Sequence, residues 1–261
     1  MSEEPRGDAD DEKLATRLLQ MIEANGVRRE EWALRAASRR GGASQATDSS
    51  NEDDGKASAA DHFDADLIAG EDNGFEVWLG SLEDALCLPS LWQRGFRGLL
   101  NCAVEDCERE VAAHRGVGRA RRRAHARGIS AVEDGYRPAN GAPALDRDQI
   151  RAVAFFDAEW YTSMLGSDIA FLGFSAADEA GYNIDRHFAE AGAFLRACRQ
   201  EGRKVLVHCV MGINRSCAAL ASFLCSDLGM KLEDAIDLIS KRRGYILSNI
   251  SFLKQLIAAY R

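Results

Sequence analysis

The chain has 261 residues and a mass of 28.6 kDa, which is enough for one domain of good size with appendages or for two small domains. Hydrophobic residues make up 46% and charged residues 28%, a composition that excludes a wholly disordered, collagenous or fibrous chain. The net charge of -8 argues against a general affinity for polyanions, so nucleic acid is not an expected partner.

The sequence shows no sign of a membrane span or of secretion. Its longest apolar run, Cys217 to Cys225, is far shorter than the about 20 residues that a membrane helix needs. The first residues are acidic and polar, whereas a signal peptide is basic and then apolar. The 7 cysteines form no Cys-x-x-Cys pair, so neither a disulfide framework nor a metal site is indicated. We expect a cytoplasmic or nuclear protein with reduced thiols and no membrane insertion.

The N-terminal part of the chain is acidic, with 18 Asp and Glu residues against 9 Lys and Arg residues in positions 1–73. Apolar residues recur at helical spacing between Glu12 and Arg40, which predicts one or two amphipathic helices. Such a helix could dock on the rest of the chain, bind a partner that the sequence does not identify, or be marginally stable. We therefore predict an acidic segment over residues 1–40, a flexible linker over 41–66 and one domain over 67–261.

In that domain, short apolar runs alternate with helical patterns, which is typical of a sheet with crossover helices. Strands are predicted over 74–80, 97–104, 168–174 and 204–208. Helices are predicted from Asn183 or Asp185 to Gly202 and over 216–228, 232–243 and 249–260. The predicted fold class is α/β, with a central, mostly parallel sheet flanked by helices.

A polar, arginine-rich stretch at about 108–150 interrupts this pattern. It is predicted to be an insertion into the domain and no part of the core. Its arginines could form a solvated face, a nuclear import signal or a surface that recruits anionic ligands.

The strongest functional signal is the segment from His208 to Ser216, which joins a buried strand to an apolar helix. Open α/β sheets bind ligands at the carboxyl ends of their strands, and helix N-termini attract anions. The backbone amides of this loop can curl around a tetrahedral anion, and a central glycine allows the dihedrals that this requires. The predicted phosphate-binding residues are Val210, Met211, Gly212, Ile213, Asn214 and Arg215.

The side chains of this segment indicate a nucleophile beside the phosphate site. Arg215 can hold two phosphate oxygens with its planar guanidinium. The same positive field favours the thiolate form of Cys209, which is a good nucleophile. Ser216 can stabilise that thiolate when it departs in a second step. His208 faces the other side of the strand and is predicted to support the site through a hydrogen bond, without acting as a base.

The chemistry also needs a proton for the leaving group, because an alkoxide or phenoxide departs poorly from phosphorus at neutral pH. The loop after the third strand of the domain ends at the same edge of the sheet and carries two acidic residues. Asp178 is the predicted general acid, and Glu179 is its rival.

The pattern His-Cys, five residues, Arg-Ser resembles the signature of the cysteine-based protein tyrosine phosphatases, and its surroundings resemble their dual-specificity branch. The resemblance runs from about Phe75 to Leu256 and is interrupted by the insertion. Asp178 precedes the cysteine by a distance similar to that of the family's general acid, and Asn249 opens a closing helix that is similar to the family's last one. The resemblance implies a protein-tyrosine-phosphatase-like fold.

The resemblance also implies a two-step hydrolysis that needs no metal or other cofactor and acts on phosphoproteins. Cys209 would attack phosphorus, and Asp178 would protonate the leaving oxygen and then activate water. Arg215 and the loop amides would hold the phosphate oxygens. Cys102, at a strand end, could protect the nucleophile by disulfide formation as in some relatives, or could be a buried thiol.

Two other functions stay open. An RNA 5′-triphosphatase-like phosphatase is suggested by relatives that carry an asparagine before the catalytic arginine, as Asn214 stands here. A non-catalytic phosphoprotein-binding scaffold is the second, although loss of the cysteine or the arginine, its usual mark, is not seen. Phosphoinositides are not expected, because Val210, Met211 and Ile213 carry no charge.

Overall fold

The computed structural model describes residues 7–26, 63–113, 150, 154, 156–166 and 168–261. Five strands in this part of the chain form one sheet: β1 (Asp66–Gly70), β2 (Glu76–Gly80), β3 (Phe96–Asn101), β4 (Ala170–Gly173) and β5 (Lys204–His208). Their order is β1-β2-β5-β3-β4, with β1 antiparallel to β2 and all other neighbours parallel. The predicted fold class is confirmed.

Strand β5 lies at the centre of this sheet because its sequence suits burial on both faces. Residues 205–208 have no exposed surface, and such unbroken apolar runs are typical of parallel strands that are covered on both sides. The bounds predicted for this strand are those observed. In the register, His208 at its end lies level with Gly80 of β2 and Asn101 of β3, so three strand ends meet there.

Helices flank the sheet. Their bounds are α1 (Gly7–Asn25), α2 (Leu82–Leu86), α3 (Leu88–Gln93), α4 (residues 104–113), α5 (Ala158–Leu165), α6 (Phe188–Gln200), α7 (Arg215–Ser226), α8 (Leu232–Arg243) and α9 (Ile250–Tyr260). Helix α7 contacts α6, α8 and α9 as well as β2 and β5, so it is the central helix of one layer. In the described ranges, no helix has both the length and the apolar character that crossing a membrane would require.

Several short elements were not predicted, namely β1, α2, α3, α4 and α5. All of them except α4 are too short to show a clear apolar period, so local interactions define them. The Ser81 amide donates to Asp84 Oδ2 at 2.7 Å at the start of α2, and the Trp160 amide donates to Asp157 Oδ1 at 2.7 Å at the start of α5. Periodicity alone therefore finds the long helices and misses the capped short ones.

Two predicted boundaries differ from the structure. The linker was predicted to reach residue 66, but the Phe63 ring lies 5.5 Å from the Phe96 ring and the Asp64 amide donates to Asp84 Oδ1 at 2.5 Å. These contacts tie the chain to the domain before β1 begins. The insertion was predicted to begin at about residue 108, but α4 continues to residue 113 because Val111 is buried against the core. Residues 114–149 lie outside the described part of the chain.

The predicted N-terminal helix is present as α1, over Gly7–Asn25. Ala15, Leu18 and Ile22 recur on one face and are buried in the same core as the sheet. Helix α1 contacts α8 and α9. Of the three alternatives given for this segment, docking on the rest of the chain is therefore the one observed. The rest of the predicted helical stretch, residues 27–40, and most of the predicted linker lie outside the described residues.

Candidate active site

The loop between β5 and α7 forms the centre of the candidate site. Cys209 directly follows the central strand and is 1% exposed, and Arg215 is the first residue of the buried helix. This places the loop at the carboxyl edge of the parallel strands and at a helix N-terminus. Both features favour the binding of an anion.

The loop turns its carbonyl groups outward, where each finds a donor. The Val210 oxygen accepts from the Leu82 amide at 3.1 Å, and the Ile213 oxygen accepts from the Leu247 amide at 2.9 Å. The buried Arg243 guanidinium lies 3.4 Å from both the Met211 and the Gly212 oxygens. Because the carbonyls are satisfied on the outside, the amides are left to face the inside of the curve, as an anion nest requires.

Gly212 allows this curve. Its φ of 70° lies in the left-handed region, which other residues rarely adopt. A Cβ atom at this position would lie 2.4 Å from the Gly80 oxygen at the end of β2. Glycine is therefore required here both by the backbone angle and by the close approach of β2.

The sulfur of Cys209 lies inside the curved loop and accepts hydrogen bonds. The Gly212 amide lies 3.2 Å and the Ser216 hydroxyl 3.3 Å from Sγ. Burial raises the pKa of this thiol, but the Arg215 charge and the bonds from Ser216 and from the Ile213 amide outweigh burial and lower the pKa below its ordinary value. The thiolate form of Cys209 is thus favoured.

Arg215 is buried, and one side of its guanidinium is held in place. Nη1 donates to Asp106 Oδ2 at 2.5 Å and to the Ala176 oxygen at 3.0 Å. Nε is buried and has no hydrogen-bond partner in the described part of the chain. A buried donor without a partner costs free energy, so this nitrogen is available to an oxyanion above Cys209.

Asp106 was not singled out from the sequence. It lies in α4, just beyond the carboxyl end of β3, and β3 neighbours β5. The available signal was an acidic residue shortly after a predicted buried strand, which applies to Glu105 as well as to Asp106; a position shortly after a strand also pointed to Asp178.

Asp178 lies at the rim of the loop between β5 and α7, and its carboxylate faces this loop. Asn214 Nδ2 donates to Asp178 Oδ2 at 3.0 Å and Oδ1 at 3.2 Å, and Asn249 Nδ2 donates to Oδ1 at 3.1 Å. Asp178 Oδ2 lies 4.0 Å from Arg215 Nε. Glu179 is exposed, and its main-chain oxygen accepts from Asn249. Of the two predicted candidates for a general acid, Asp178 is the one whose carboxylate meets the loop.

His208 and Cys102 lie beside Cys209, at the end of the central strand and on the neighbouring strand. Burial lowers the pKa of His208 to about 4, and its Nδ1 donates to the Cys209 oxygen at 3.3 Å. Burial raises the pKa of Cys102 well above the usual range, and the nearby charge of Cys209 raises it further. The Cys102 amide donates to the His208 oxygen at 2.9 Å, which places this thiol on the strand next to the loop.

Two more thiols, Cys107 and Cys217, also interact electrostatically with Cys209. Burial raises the pKa of Cys107 to about 12 and that of Cys217 well above the usual range. Protonated thiols therefore surround a cysteine whose own pKa is lowered. In the described ranges, no group of three or more His, Cys, Asp or Glu side chains is arranged to hold a metal ion.

Comparison with known proteins shows which families and proteins the chain is similar to. Residues 142–261 match the family described as "Dual specificity phosphatase, catalytic domain". The chain is similar to dual specificity protein phosphatase 26 of Homo sapiens, with 37% identity over 97 residues that make up 37% of this chain and 46% of that protein. It is similar to dual specificity protein phosphatase 22 of Mus musculus, with 32% identity over 121 residues, 46% of this chain and 65% of that protein. The chain thus spans about half the length of the first relative.

Solved structures are similar at a lower level. Human DUSP28 aligns with 16% identity and a TM-score of 0.46 over 74% of this chain and 89% of that chain. The PTP-2 phosphatase of Cydia pomonella aligns with 13% identity and a TM-score of 0.47 over 75% of this chain and 89% of that chain. Likenesses this loose add nothing to the sequence matches.

Proposed function

The chain belongs to the dual-specificity phosphatase family, and from this premise we propose that it is a protein phosphatase that hydrolyses phosphotyrosine and phosphoserine or phosphothreonine through a phosphocysteine intermediate. The observation that carries the proposal is the Cys209 sulfur, whose pKa is lowered inside a loop of amides beside Arg215, whose Nε makes no hydrogen bond among the described residues. The proposed nucleophile thus lies within hydrogen-bond distance of the amides that would bind the phosphate.

In the first step the Cys209 thiolate attacks phosphorus. The S–P bond forms while the P–O bond to the substrate's alcohol or phenol breaks, and Asp178 gives its proton to the departing oxygen. The loop amides and Arg215 hold the three equatorial oxygens, where negative charge stays throughout. The position of Asp178 near Arg215 supports this assignment, because the departing oxygen must lie opposite the sulfur.

In the second step water attacks the phosphocysteine. Asp178, now ionised, takes a proton from this water as the new P–O bond forms and the S–P bond breaks. The sulfur departs as a thiolate, which the Ser216 hydroxyl stabilises by its hydrogen bond to Sγ. Inorganic phosphate leaves, and the site returns to its starting state.

The proposal is tested with three substrates: an aryl phosphate, phosphopeptides that carry phosphotyrosine or phosphoserine, and RNA that ends in a 5′-triphosphate. We expect the full-length protein to hydrolyse the aryl phosphate and the phosphopeptides. Cys209→Ser should abolish turnover while phosphopeptide binding survives, because the amides and Arg215 remain in place. An unchanged far-ultraviolet circular dichroism spectrum checks that this variant is folded.

Other outcomes would support the alternatives. A higher kcat/KM on triphosphate-ended RNA than on every phosphopeptide would favour the RNA 5′-triphosphatase-like function. Wild-type protein that binds phosphopeptides and turns over no substrate would favour the scaffold. Asp178→Ala compared with wild type in a substrate-trapping pulldown would then identify phosphoprotein substrates of the active enzyme.

A further inference from the structure

The side chain of Asn214 is directed away from the role that its position suggests. Asn214 is the residue before the first turn of α7, where asparagine usually accepts a hydrogen bond from a helix amide. It makes no such bond in the structure. An oxygen placed over those amides would compete with a phosphate for them, so turning it away keeps the anion site free.

Instead, the Asn214 side chain connects the start of α9 to the segment after β4 that carries Asp178. Its Oδ1 accepts from the Asn249 amide at 3.1 Å and from the Ser248 hydroxyl at 3.2 Å. These two bonds determine which end of the carboxamide faces Asp178. Nδ2 therefore donates to both carboxylate oxygens of Asp178, at 3.0 and 3.2 Å.

Asn249 supplies a second donor to the same carboxylate. Its Oδ1 accepts from the Ser251 amide at 3.2 Å and from the Ser251 hydroxyl at 2.8 Å, which caps α9. Its Nδ2 is thereby directed at Asp178 Oδ1, at 3.1 Å. Two carboxamides, each oriented by its own oxygen contacts, thus converge on one carboxylate.

Asp178 needs this support because its own segment provides little. Residues 176–178 belong to no helix or strand, and the Asp178 side chain is 31% exposed. A partly exposed aspartate on irregular backbone can change rotamer at small cost. Proton transfer, however, requires the carboxyl oxygen within hydrogen-bond reach of the departing oxygen.

We propose that Asn214 is a positioning residue that holds the carboxyl group of Asp178 over the phosphate loop, in line with the departing oxygen. This inference rests on the proposed function, in which Asp178 is the general acid. It acts on the first step: the proton moves from Asp178 to the departing oxygen as the P–O bond breaks and the S–P bond forms. Its effect should therefore grow as the leaving group becomes a poorer one.

The test compares Asn214→Ser with wild type on two aryl phosphates and a phosphoserine peptide. 4-Nitrophenolate departs without needing a proton, whereas phenolate and a serine alkoxide depart poorly without one. We expect kcat/KM to fall about tenfold on phenyl phosphate and on the peptide, a fraction of the 10²- to 10⁴-fold that general acids contribute. On 4-nitrophenyl phosphate the fall should be less than about threefold. Asn214→Asp, which replaces the donor by a second carboxylate, should have a larger leaving-group-dependent effect.

Two further variants separate positioning from a general loss of structure. In an Asp178→Asn background, Asn214→Ser should add almost nothing, because interacting residues are non-additive when they act through one step. Asn25→Ser is the matched control, since Asn25 Nδ2 donates to Asp237 Oδ1 at 2.7 Å and to Ser240 Oγ at 3.1 Å between α1 and α8. It removes similar bonds away from the loop and should leave the ratio of the two aryl rates unchanged.

The outcomes distinguish the inference from the proposal beneath it. If wild type turns over no substrate, or Cys209→Ser is as active as wild type, the proposed function is wrong and the inference falls with it. If Asp178→Asn shows the leaving-group dependence and Asn214→Ser lowers both aryl rates equally, or adds its full effect to Asp178→Asn, the role of Asn214 alone is overturned.

Discussion

The environment of the Cys209 sulfur combines burial, which opposes ionisation, with contacts that favour it. Burial is the largest single influence on its pKa, and the Arg215 charge is the second. Hydrogen bonds from Ser216 and from the loop amides complete the shift to a lower pKa. Cys102, Cys107 and Cys217 are buried beside it without this set of donors, and their pKa values are raised. The donors, and not the burial, distinguish Cys209 from the three neighbouring thiols.

Removing the Ser216 hydroxyl tests directly whether hydrogen-bond donors lower the pKa of Cys209. Ser216→Ala removes a hydrogen bond that favours the thiolate, so the pKa of Cys209 should rise. Because only the thiolate reacts, the midpoint of the pH dependence of alkylation by iodoacetamide should move to higher pH, by about one pH unit for a bond to a charged group. Ser222→Ala, in the same helix and bonded to Tyr260, is the control and should leave the midpoint in place. An unmoved midpoint in Ser216→Ala would contradict the assignment.

Asp106 acts on Arg215, the second residue that defines the environment of Cys209. It occupies Nη1 of Arg215, which leaves Nε and the remaining amino group to form a fork for two phosphate oxygens. Its negative charge also repels a bound phosphate. A direct charge-assisted hydrogen bond contributes about 1.5–3 kcal/mol, whereas the repulsion acts over a longer distance and is screened by solvent at the partly exposed Asp106, so we expect the orienting effect to dominate.

We therefore expect Asp106→Asn to weaken inhibition by inorganic phosphate about five- to tenfold, with a similar rise in KM for an aryl phosphate. The measurement is the inhibition constant of phosphate at constant ionic strength. Glu108→Gln removes a charge from an exposed position of the same helix and serves as the control. Tighter phosphate binding in Asp106→Asn would show that repulsion prevails.

Among the elements, α1 shows how an acidic terminal segment becomes part of the core. Leu18 is 1% exposed, and Ala15 and Ile22 lie on the same face. Around this apolar stripe, Arg17 pairs with Glu233, and Lys254 pairs with Glu12. The segment therefore contributes an apolar face to α8 and α9, although its composition is polar as a whole.

Leu18→Ala should lower the free energy of unfolding by about 2 kcal/mol, because it leaves a cavity between α1 and the domain. Arg17→Ala should lower it by less than about 1 kcal/mol, since the Arg17 and Glu233 side chains are 68% and 39% exposed. Urea unfolding monitored by fluorescence measures both. Equal effects of the two substitutions would mean that α1 is held by surface charge and not by its apolar face.

At the level of elements, the apolar pattern predicted β5, α7, α8 and α9 within one or two residues. These elements are either buried all round or amphipathic over three turns, so their patterns are long enough to recognise. Strand β1 and helices α2, α3, α4 and α5 were missed. Their positions depend on caps and on contacts with distant segments, such as the bond of the Tyr161 hydroxyl to the Ala85 oxygen.

In the whole molecule, the sheet order brings the functional groups together. Because β5 lies between β2 and β3, and β4 lies next to β3, the chain segments that follow these strands share one edge. The loop after β5 carries Cys209, α4 after β3 carries Asp106, and the loop after β4 carries Asp178. The described segments on both sides of residues 114–149 thus form the core and the site.

This arrangement makes a prediction about the arginine-rich stretch. Replacing residues 116–145 by a Gly/Ser linker of equal length should change the aryl phosphate kcat/KM by less than about twofold and leave the unfolding midpoint unchanged, as expected for an inserted segment. Loss of turnover or a lower midpoint would show that the stretch is part of the domain core.

The sequence by itself determined the loop from His208 to Ser216 and the chemistry that it suggests. Cysteine, glycine, arginine and the flanking strand and helix are contiguous there, so no long-range contact is needed to predict a phosphate-binding loop. Only the tertiary structure decided what surrounds this loop. Asp106, Asp178 and Asn249 come from three separate segments, and spacing along the chain does not say which carboxylate holds the arginine and which lies at the rim of the loop. That depends on the order of the parallel strands, because pairing in a sheet decides which loops become neighbours.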